Sequence, residues 1–432
     1  MSKLDTIVKE ARTEEFNQYI SSLKIEIQEA YKENDAPWII CFSGGKDSTA
    51  LLQLIFNALA ELEKEKLTKE IHILANDTLV ENPEIEKYLD EQLSKIKIYG
   101  KNILYKHAPG SFFVEKGKPE LEERFWINLI GRGYPSPNRW FRWCTERLKI
   151  NPTSKYIENS LKKYEQVIIV LGTRKAESAN RAMSMNKYDN NGRFRDHTLT
   201  NAKVYAPIAE MSTDDVWSYL LLTDNPWCSD NMDLLEIYGN ACAGGECPFV
   251  IETGTQSCGK SRFGCWVCTV VDRDRSMENF ILNGEKWLEG LLNFRNLLYD
   301  IRQETNQYVP SRLNGKVAFG PFLLRTREMM LEKLLKLQKQ TGIELISDIE
   351  LKYTKNLLDY DKKARINGNM KKFYYKTNNG KVIAVISDCD VSKTHRERLG
   401  SIHLDKIELI ESENVTNKYE KSTRVMYYKV KR

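Results

Sequence analysis

No stretch of this 432-residue chain is apolar for long enough to cross a membrane, and the start Met1-Ser2-Lys3-Leu4-Asp5 lacks the apolar core of a secretory signal. The cytoplasm is therefore the expected compartment, with no membrane partner. An excess of one charge sign is also missing. Sixty-five basic against 60 acidic residues leave a net charge of +5, which neither demands nor excludes nucleic acid, so local clustering must decide. No internal repeat is visible. A Walker A loop is absent too: Lys46 is followed by Asp47, and Ile40 stands where the first glycine would be needed. The nine cysteines, in a reducing compartment, do not read as a disulfide framework. What remains is a chain 29% charged and 41% hydrophobic, ordinary for a globular protein and long enough for two or three domains.

The most informative segment is Ser43-Gly44-Gly45-Lys46-Asp47-Ser48-Thr49, directly after the apolar run Pro37–Phe42. A strand, a tight loop and a helix N-terminus are predicted. Gly44 and Gly45 allow backbone N–H groups to converge on one anion, and the helix dipole points to the same place. Ser43, Ser48 and Thr49 add hydroxyl donors, and Asp47 beside a phosphate makes Mg²⁺ a participant, because hard cations bridge carboxylate and phosphate oxygens. A plain glycine turn capped by Asp47 or Ser48 is the simpler alternative. The pattern resembles the PP-loop of the ATP-pyrophosphatase superfamily, Ser-Gly-Gly-x-Asp-Ser. That resemblance implies cleavage of ATP between its α- and β-phosphates, pyrophosphate held in this loop, and a substrate oxygen activated as its adenylate.

Further apolar runs, Ile71–Ala75, Ile103–Tyr105 and Val167–Leu171, alternate with helical spacing, which predicts an α/β fold with a parallel sheet flanked by helices. Ligands bind beyond the carboxyl ends of such strands. Ser43–Thr49, Asn76-Asp77-Thr78 and Gly172-Thr173-Arg174 should then line one crevice. Expected divisions are a helical segment 1–35, the nucleotide domain 36–227, a cysteine-rich loop segment 228–275, a helical region 276–345, and a basic α+β region 346–432. In the last, Phe373–Lys376 and Val382–Ile386 around Asn378-Asn379-Gly380 read as a hairpin.

Cys265-Trp266-Val267-Cys268 is a close ligand pair, with Cys258 seven residues before Cys265 and Cys144 remote in sequence. Four thiolates suit tetrahedral zinc or a [4Fe–4S] cluster, and spacing does not separate the two. Cys247 is left as a fifth ligand, a sulfur-carrying thiol or a core residue. In Gly131–Trp143, arginines interleave with aromatics, suiting phosphate contacts plus base stacking or, equally, an aromatic mini-core with exposed arginines.

Asp77-Thr78, Gly172–Ser178 with Arg181, and Tyr205-Ala206-Pro207-Ile208 followed by Asp214-Asp215-Val216-Trp217 resemble the sulfonucleotide (PAPS) reductase branch. That likeness implies an adenine nucleotide alpha hydrolase-like PP-loop fold with Asp77, Gly172 and Arg174 on the nucleotide. It also implies an iron–sulfur cluster on Cys144, Cys258, Cys265 and Cys268. The reductases carry a catalytic thiol in a C-terminal Glu-Cys-Gly-x-His segment, whereas no cysteine follows Cys389 here, so sulfite production is disfavoured. Asn128–Pro135, Arg142–Lys149, Leu171–Ser178, Asn225-Pro226-Trp227 and Gly264–Cys268 instead resemble the DndC family, the sulfurtransferases of bacterial DNA phosphorothioation. This resemblance, over about residues 36–300, implies DNA as substrate, a cysteine desulfurase as sulfur donor, and further phosphorothioation subunits as partners. Lys46, Asp47 and Arg174 are the implied catalytic residues, with ATP and Mg²⁺. Replacing Cys265 and Cys268 by Ser should abolish the broad visible absorbance of an iron–sulfur centre. A colourless, zinc-loaded wild-type protein would refute that assignment.

Overall fold

Trp38-Ile39-Ile40-Cys41 forms the central strand of a sheet because both of its faces can be buried: Trp38, Ile39 and Ile40 are wholly inaccessible. In the computed structural model, the residues described are 14–177, 183, 193–241, 264–304 and 321–366, with the strands 371–376, 382–387, 407–416 and 422–430. They divide into two units. The first comprises Met1–Lys118, Leu148–Cys265 and Arg275–Glu285; the second comprises Pro119–Arg147, Trp266–Asp274 and Lys286–Arg432.

The first unit holds strands β1 (Trp38–Cys41), β2 (Ile71–Asn76), β3 (Phe112–Gly117), β4 (Val167–Val170), β5 (Arg195–Asp196) and β6 (Ala202–Tyr205) in the order β3-β2-β1-β4-β6-β5. All neighbours run parallel except the antiparallel edge β5. The expected mostly parallel α/β sheet is present. The helix Lys46–Ala60 is buried along almost its whole length, from Ser48 to Leu59, which fixes the loop that precedes it. The helix Glu14–Lys32 packs Leu23, Ile27, Ala30 and Tyr31 onto the same core.

Two expectations are corrected. The third strand is Phe112–Gly117, not Ile103–Tyr105. The helix Pro83–Tyr99 runs on into a wider turn, Gly100–Leu104, that leaves Ile103 exposed. Gly100 lies so close to Phe112 that an added Cβ would sit 2.1 Å from its ring, so the turn and the true strand share one packing surface. The segment after Trp227 is not all loop: Asn231–Ala241 is helical, burying Leu234 and Leu235. Residues 242–263, with Cys242, Cys247 and Cys258, lie outside the described residues.

The second unit is built on the helices Glu289–Gln303, Leu324–Thr341 and Asp348–Ile366. Trp126, Trp266 and Phe294 pack as an aromatic cluster with centroids 5.8–6.0 Å apart. Arg327, fully buried, pairs with Asp361 at 2.7 Å and donates to the carbonyls of Ile130 and Gly131. Strands 371–376 and 382–387 pair antiparallel, as the hairpin reading requires, and join a four-stranded sheet with 422–430 and 407–416. Among the described residues, no helix is long and apolar enough to cross a membrane.

One buried cation gives the first unit a pH signature. Lys69 is 4% exposed, with its Nζ 5.0 Å from the Tyr31 ring, 5.7 Å from the Trp38 ring and 3.3 Å from Asn34 Oδ1. Burial pulls its pKa down to about 8, against the opposing pull of Asp35 and Glu33. The unfolded lysine keeps its proton to roughly pH 10.4, so between about pH 8 and 10.4 the unfolded chain binds more protons and stability rises with pH. Comparing urea unfolding at the two ends of that window should show the wild type gaining on the order of 2 kcal/mol relative to Lys69→Met. Parallel pH profiles would remove Lys69 as the cause.

Candidate active site

The strand order reverses beside β1: the chain proceeds outward through β2 and β3, then returns to place β4 on the other side of β1. Beyond the carboxyl ends of β1, β2 and β4 lies a cleft of about 350 Å³. Such a switch point is where open α/β sheets bind ligands. Ser43, Asp47 and Ser48 line it from β1, Asn76 and Asp77 from β2, and Gly172 and Thr173 from β4. All three strand-end sets singled out from the sequence contribute to this one cleft.

The loop after β1 has the backbone an anion cradle needs. Gly44 adopts φ +72°, in the left-handed region, and Gly45 enters the helix as an N-cap without a side-chain bond. Ser48 Oγ accepts from the Ser43 N–H at 3.2 Å and lies 3.1 Å from Ser43 Oγ, holding the loop closed. Among the described residues, the buried hydroxyls of Thr49 and Thr173 have no partner. Gly172 packs so tightly on the loop that a Cβ there would meet the Asp47 carbonyl oxygen at 3.0 Å and the Ser48 nitrogen at 3.2 Å. The group this loop fits is therefore a phosphate, received by N–H and O–H donors.

Arg174 takes a different place from the one its expected role suggests. It is 1% exposed, and its Nε donates to Asp47 Oδ1 at 2.7 Å while Nη1 donates to the Met211 carbonyl at 2.9 Å. Nη2 lies 3.4 Å from Thr213 Oγ1, and the backbone N–H of Arg174 donates to Glu177 Oε1 at 2.9 Å. The guanidinium is thus occupied in orienting Asp47. Lys46 Nζ meets the other Asp47 oxygen at 3.0 Å, and Tyr238 OH accepts from the Lys46 N–H at 3.3 Å. Asp77, 3% exposed, accepts from the Leu79 N–H at 2.8 Å and faces Lys118 at 3.4 Å and Lys116 at 3.6 Å. Burial opposes the Lys116 charge, but Asp90, Asp77 and Glu86 outweigh it and raise its pKa. Lysine ammoniums therefore stand beside both acids.

Cys265 sits against the end of β2: its Sγ is 3.3 Å from Thr78 Oγ1, and its backbone bridges that of Glu81. Thr78 also donates to Glu81 at 3.0 Å, and Glu81 in turn faces Lys149 at 3.5 Å on the cleft wall. In the second unit, Cys144 and Cys268 are neighbours; burial raises the Cys144 pKa, and Cys268 raises it further. Buried Arg295 donates to the carbonyls of Cys268, Val271 and Asp272, fixing the chain after Cys268. None of these thiols is in a disulfide. Thiolates are the donors an iron–sulfur centre takes. Among the described residues, however, no three such side chains form a metal-holding group, and Cys258 lies outside them. Cys41, the last residue of β1, also lines the cleft, with burial pushing its pKa up to about 12.

Glu81, Lys116 and Tyr238 lie outside the sequence motifs, whereas Lys149 and Glu177 fall within the runs Arg142–Lys149 and Gly172–Ser178. Lys116 stands on Phe112–Gly117, a strand that the apolar pattern passes over, and Tyr238 on a helix in the segment expected to be loop. Glu81, three residues after Thr78, offered the only local hint.

The chain belongs to the phosphoadenosine phosphosulfate reductase domain family, whose model matches residues 37–270. An uncharacterized protein of Methanocaldococcus jannaschii is 30% identical over 202 residues, 46% of this chain, and the chain spans 35% of that protein's length. The phosphoadenylyl-sulfate reductase of Candida auris is similar at TM-score 0.30 and 12% identity, over 52% of this chain and 92% of that one. The U34-tRNA thiolase NcsA of Methanococcus maripaludis, solved with its [4Fe-4S] cluster, gives TM-score 0.30 and 12% identity over 66% and 80%. Candida glabrata FMN adenylyltransferase gives TM-score 0.32 and 16% identity over 52% and 60%. Likenesses at these scores do not transfer chemistry.

Removing the arginine from the Asp47–Arg174 pair leaves a carboxylate facing the loop without its main partner. Arg174→Met should destabilise the fold by about 3 kcal/mol, the low end for such pairs because Asp47 is partly exposed. Urea unfolding of the single variants and of Asp47→Asn/Arg174→Met checks this: the double variant should lose less than the sum of the singles.

Proposed function

We propose that this chain is an ATP-dependent sulfurtransferase of DNA phosphorothioate modification, acting in the cytoplasm with a cysteine desulfurase and other modification subunits. The observation that carries the proposal is the placement of Cys265 against Thr78, at the strand end that also lines the nucleotide cleft. A thiol on the same wall as the Ser43–Thr49 loop supports a reaction that joins sulfur to an activated phosphate. The DndC-like runs Asn128–Pro135 and Arg142–Lys149 support DNA as the substrate.

In this reaction, the N–H groups and hydroxyls of Ser43–Thr49 receive the β- and γ-phosphates of ATP, and Lys46 balances their charge. Arg174 acts through Asp47, keeping the carboxylate at the helix start. A non-bridging oxygen of the DNA phosphodiester attacks the α-phosphorus and pyrophosphate leaves. Sulfur, arriving as the persulfide of the desulfurase, then attacks the DNA phosphorus and expels AMP with the tagged oxygen. A thiol supplies the two electrons that cleave the persulfide S–S bond. A [4Fe–4S] cluster, when bound, would take Cys144, Cys258, Cys265 and Cys268 as its thiolate ligands and supply a sulfur-binding or structural centre. Mg²⁺ would accompany the ATP phosphates at Asp47 or Asp77.

The test is anaerobic incubation of the full chain with ATP, DNA, a cysteine desulfurase and cysteine bearing radiolabelled sulfur. Expected outcomes are DNA-dependent pyrophosphate release and label in the DNA backbone, both lost in Asp47→Ala and the second lost in Cys265→Ser. Sulfite release from an adenylated sulfate donor, with no labelled DNA, would instead assign the chain to sulfonucleotide reduction.

A further inference from the structure

The turn Asn138–Arg142, in the second unit, presents four exposed side chains in succession. Trp140 is 94% exposed and Phe141 44%, between the exposed Arg139 and Arg142. Phosphate binding in the cleft uses none of them. The rest of the Gly131–Trp143 stretch behaves differently. Trp143 is buried, stacked on Phe125 at 5.3 Å and edge-on to Tyr134 at 5.5 Å. The two readings of this stretch therefore apply to different halves of it: a mini-core below, and an exposed tip above.

The tip stands on a fixed base. Trp143 Nε1 donates to the Pro135 carbonyl at 2.9 Å, and Ser136 Oγ donates to the Leu298 carbonyl at 3.1 Å. The Pro137 carbonyl accepts from Thr269 Oγ1 at 2.7 Å and from Arg302 Nη1 at 2.6 Å. Above it, Asn138 Oδ1 accepts from the N–H groups of Trp140 and Phe141 at 2.8 and 2.9 Å, and Asn138 and Phe141 exchange backbone bonds at 3.2 Å. A tryptophan held out in water by a rigid turn loses little conformational freedom when it is covered. Its surroundings say what covers it: no acidic residue occurs from Gly131 to Arg142, and neither Arg139 nor Arg142 is ion-paired among the described residues. An apolar protein ridge would meet cations on both sides of the ring. A nucleic-acid strand offers a flat base for the indole and phosphates for the flanking guanidiniums.

We propose that Trp140 stacks on an unpaired base of the DNA substrate while Arg139 and Arg142 hold the phosphates on either side. This rests on the DNA reading of the proposed function and locates its strand contact. The test titrates a fluorescein-labelled single-stranded DNA with the full chain, following anisotropy over a range of salt concentrations. Trp140→Ala should weaken binding about tenfold, with Trp140→Phe retaining most of it. Arg139→Ala/Arg142→Ala should lower the slope of log affinity against log salt by about 1.4, at about 0.7 per phosphate. Unchanged thermal unfolding would show that the variants are folded, and DNA-induced quenching of tryptophan fluorescence should shrink in Trp140→Phe. Wild-type-like binding by the alanine variants overturns the proposal and leaves the DNA reading intact. A wild type that binds no DNA overturns both. Loss of cysteine desulfurase binding, with DNA binding intact, would make the tip a protein-docking site and likewise overturn the proposal.

Discussion

The bond between Arg174 and Asp47 joins residues 127 positions apart in the chain and holds together the two strand ends on which the site is built. A guanidinium 1% exposed must have all its main donors answered, and here Asp47, the Met211 carbonyl and Thr213 answer them. The consequence is geometric. Asp47 belongs to the first turn of the buried helix Lys46–Ala60, so fixing it fixes the orientation of the phosphate loop. The loop lies close against Gly172, just after β4, where an added Cβ would crowd the Asp47 carbonyl and the Ser48 nitrogen. Breaking such a pair leaves one charge without its partner in a poorly hydrated place, which costs far more than the pair contributes when intact.

Around this anchor the cleft is lined by charges that answer one another. Asp77 faces Lys116 and Lys118; Glu81 faces Lys149; Lys46 turns to Asp47. A polyanion entering the cleft competes with carboxylates for lysines already in position, so the site is organised before the ligand arrives. The same wall carries Cys265 through Thr78, which places a thiol beside the cleft without using a residue of the Ser43–Thr49 loop. The second unit holds its own cysteines by a comparable device, a buried arginine donating to the backbone carbonyls after Cys268.

Much of this was legible in the residues. Strands that end in Ser43–Thr49, Asp77-Thr78 and Gly172-Thr173 announce a cleft because apolar runs and their polar exits are local properties. The third strand was not legible. Phe112–Gly117 carries Glu115 and Lys116 and reads as polar, while Ile103-Leu104-Tyr105 is more apolar but packs as a wide helical turn. The helix Asn231–Ala241 was hidden by its glycine and cysteine-rich neighbourhood, and Tyr238 with it. Arg174 was visible as a functional arginine, yet its direction was not, because which anion a buried guanidinium meets depends on the partners that folding brings to it.

Taken alone, the amino-acid order determined the glycine-and-hydroxyl make-up of the Ser43–Thr49 loop, the failure of the Walker pattern and the mostly parallel sheet. Each depends on residues close together in the chain. The tertiary structure alone decided that Arg174 serves Asp47, that Cys265 lies beside Thr78, and that Trp143 is core while Trp140, three residues earlier, stands in water. Those outcomes depend on long-range packing: a buried polar group takes whatever partner the sheet order delivers, and a tight turn closed between Asn138 and Phe141 separates an exposed indole from a buried one.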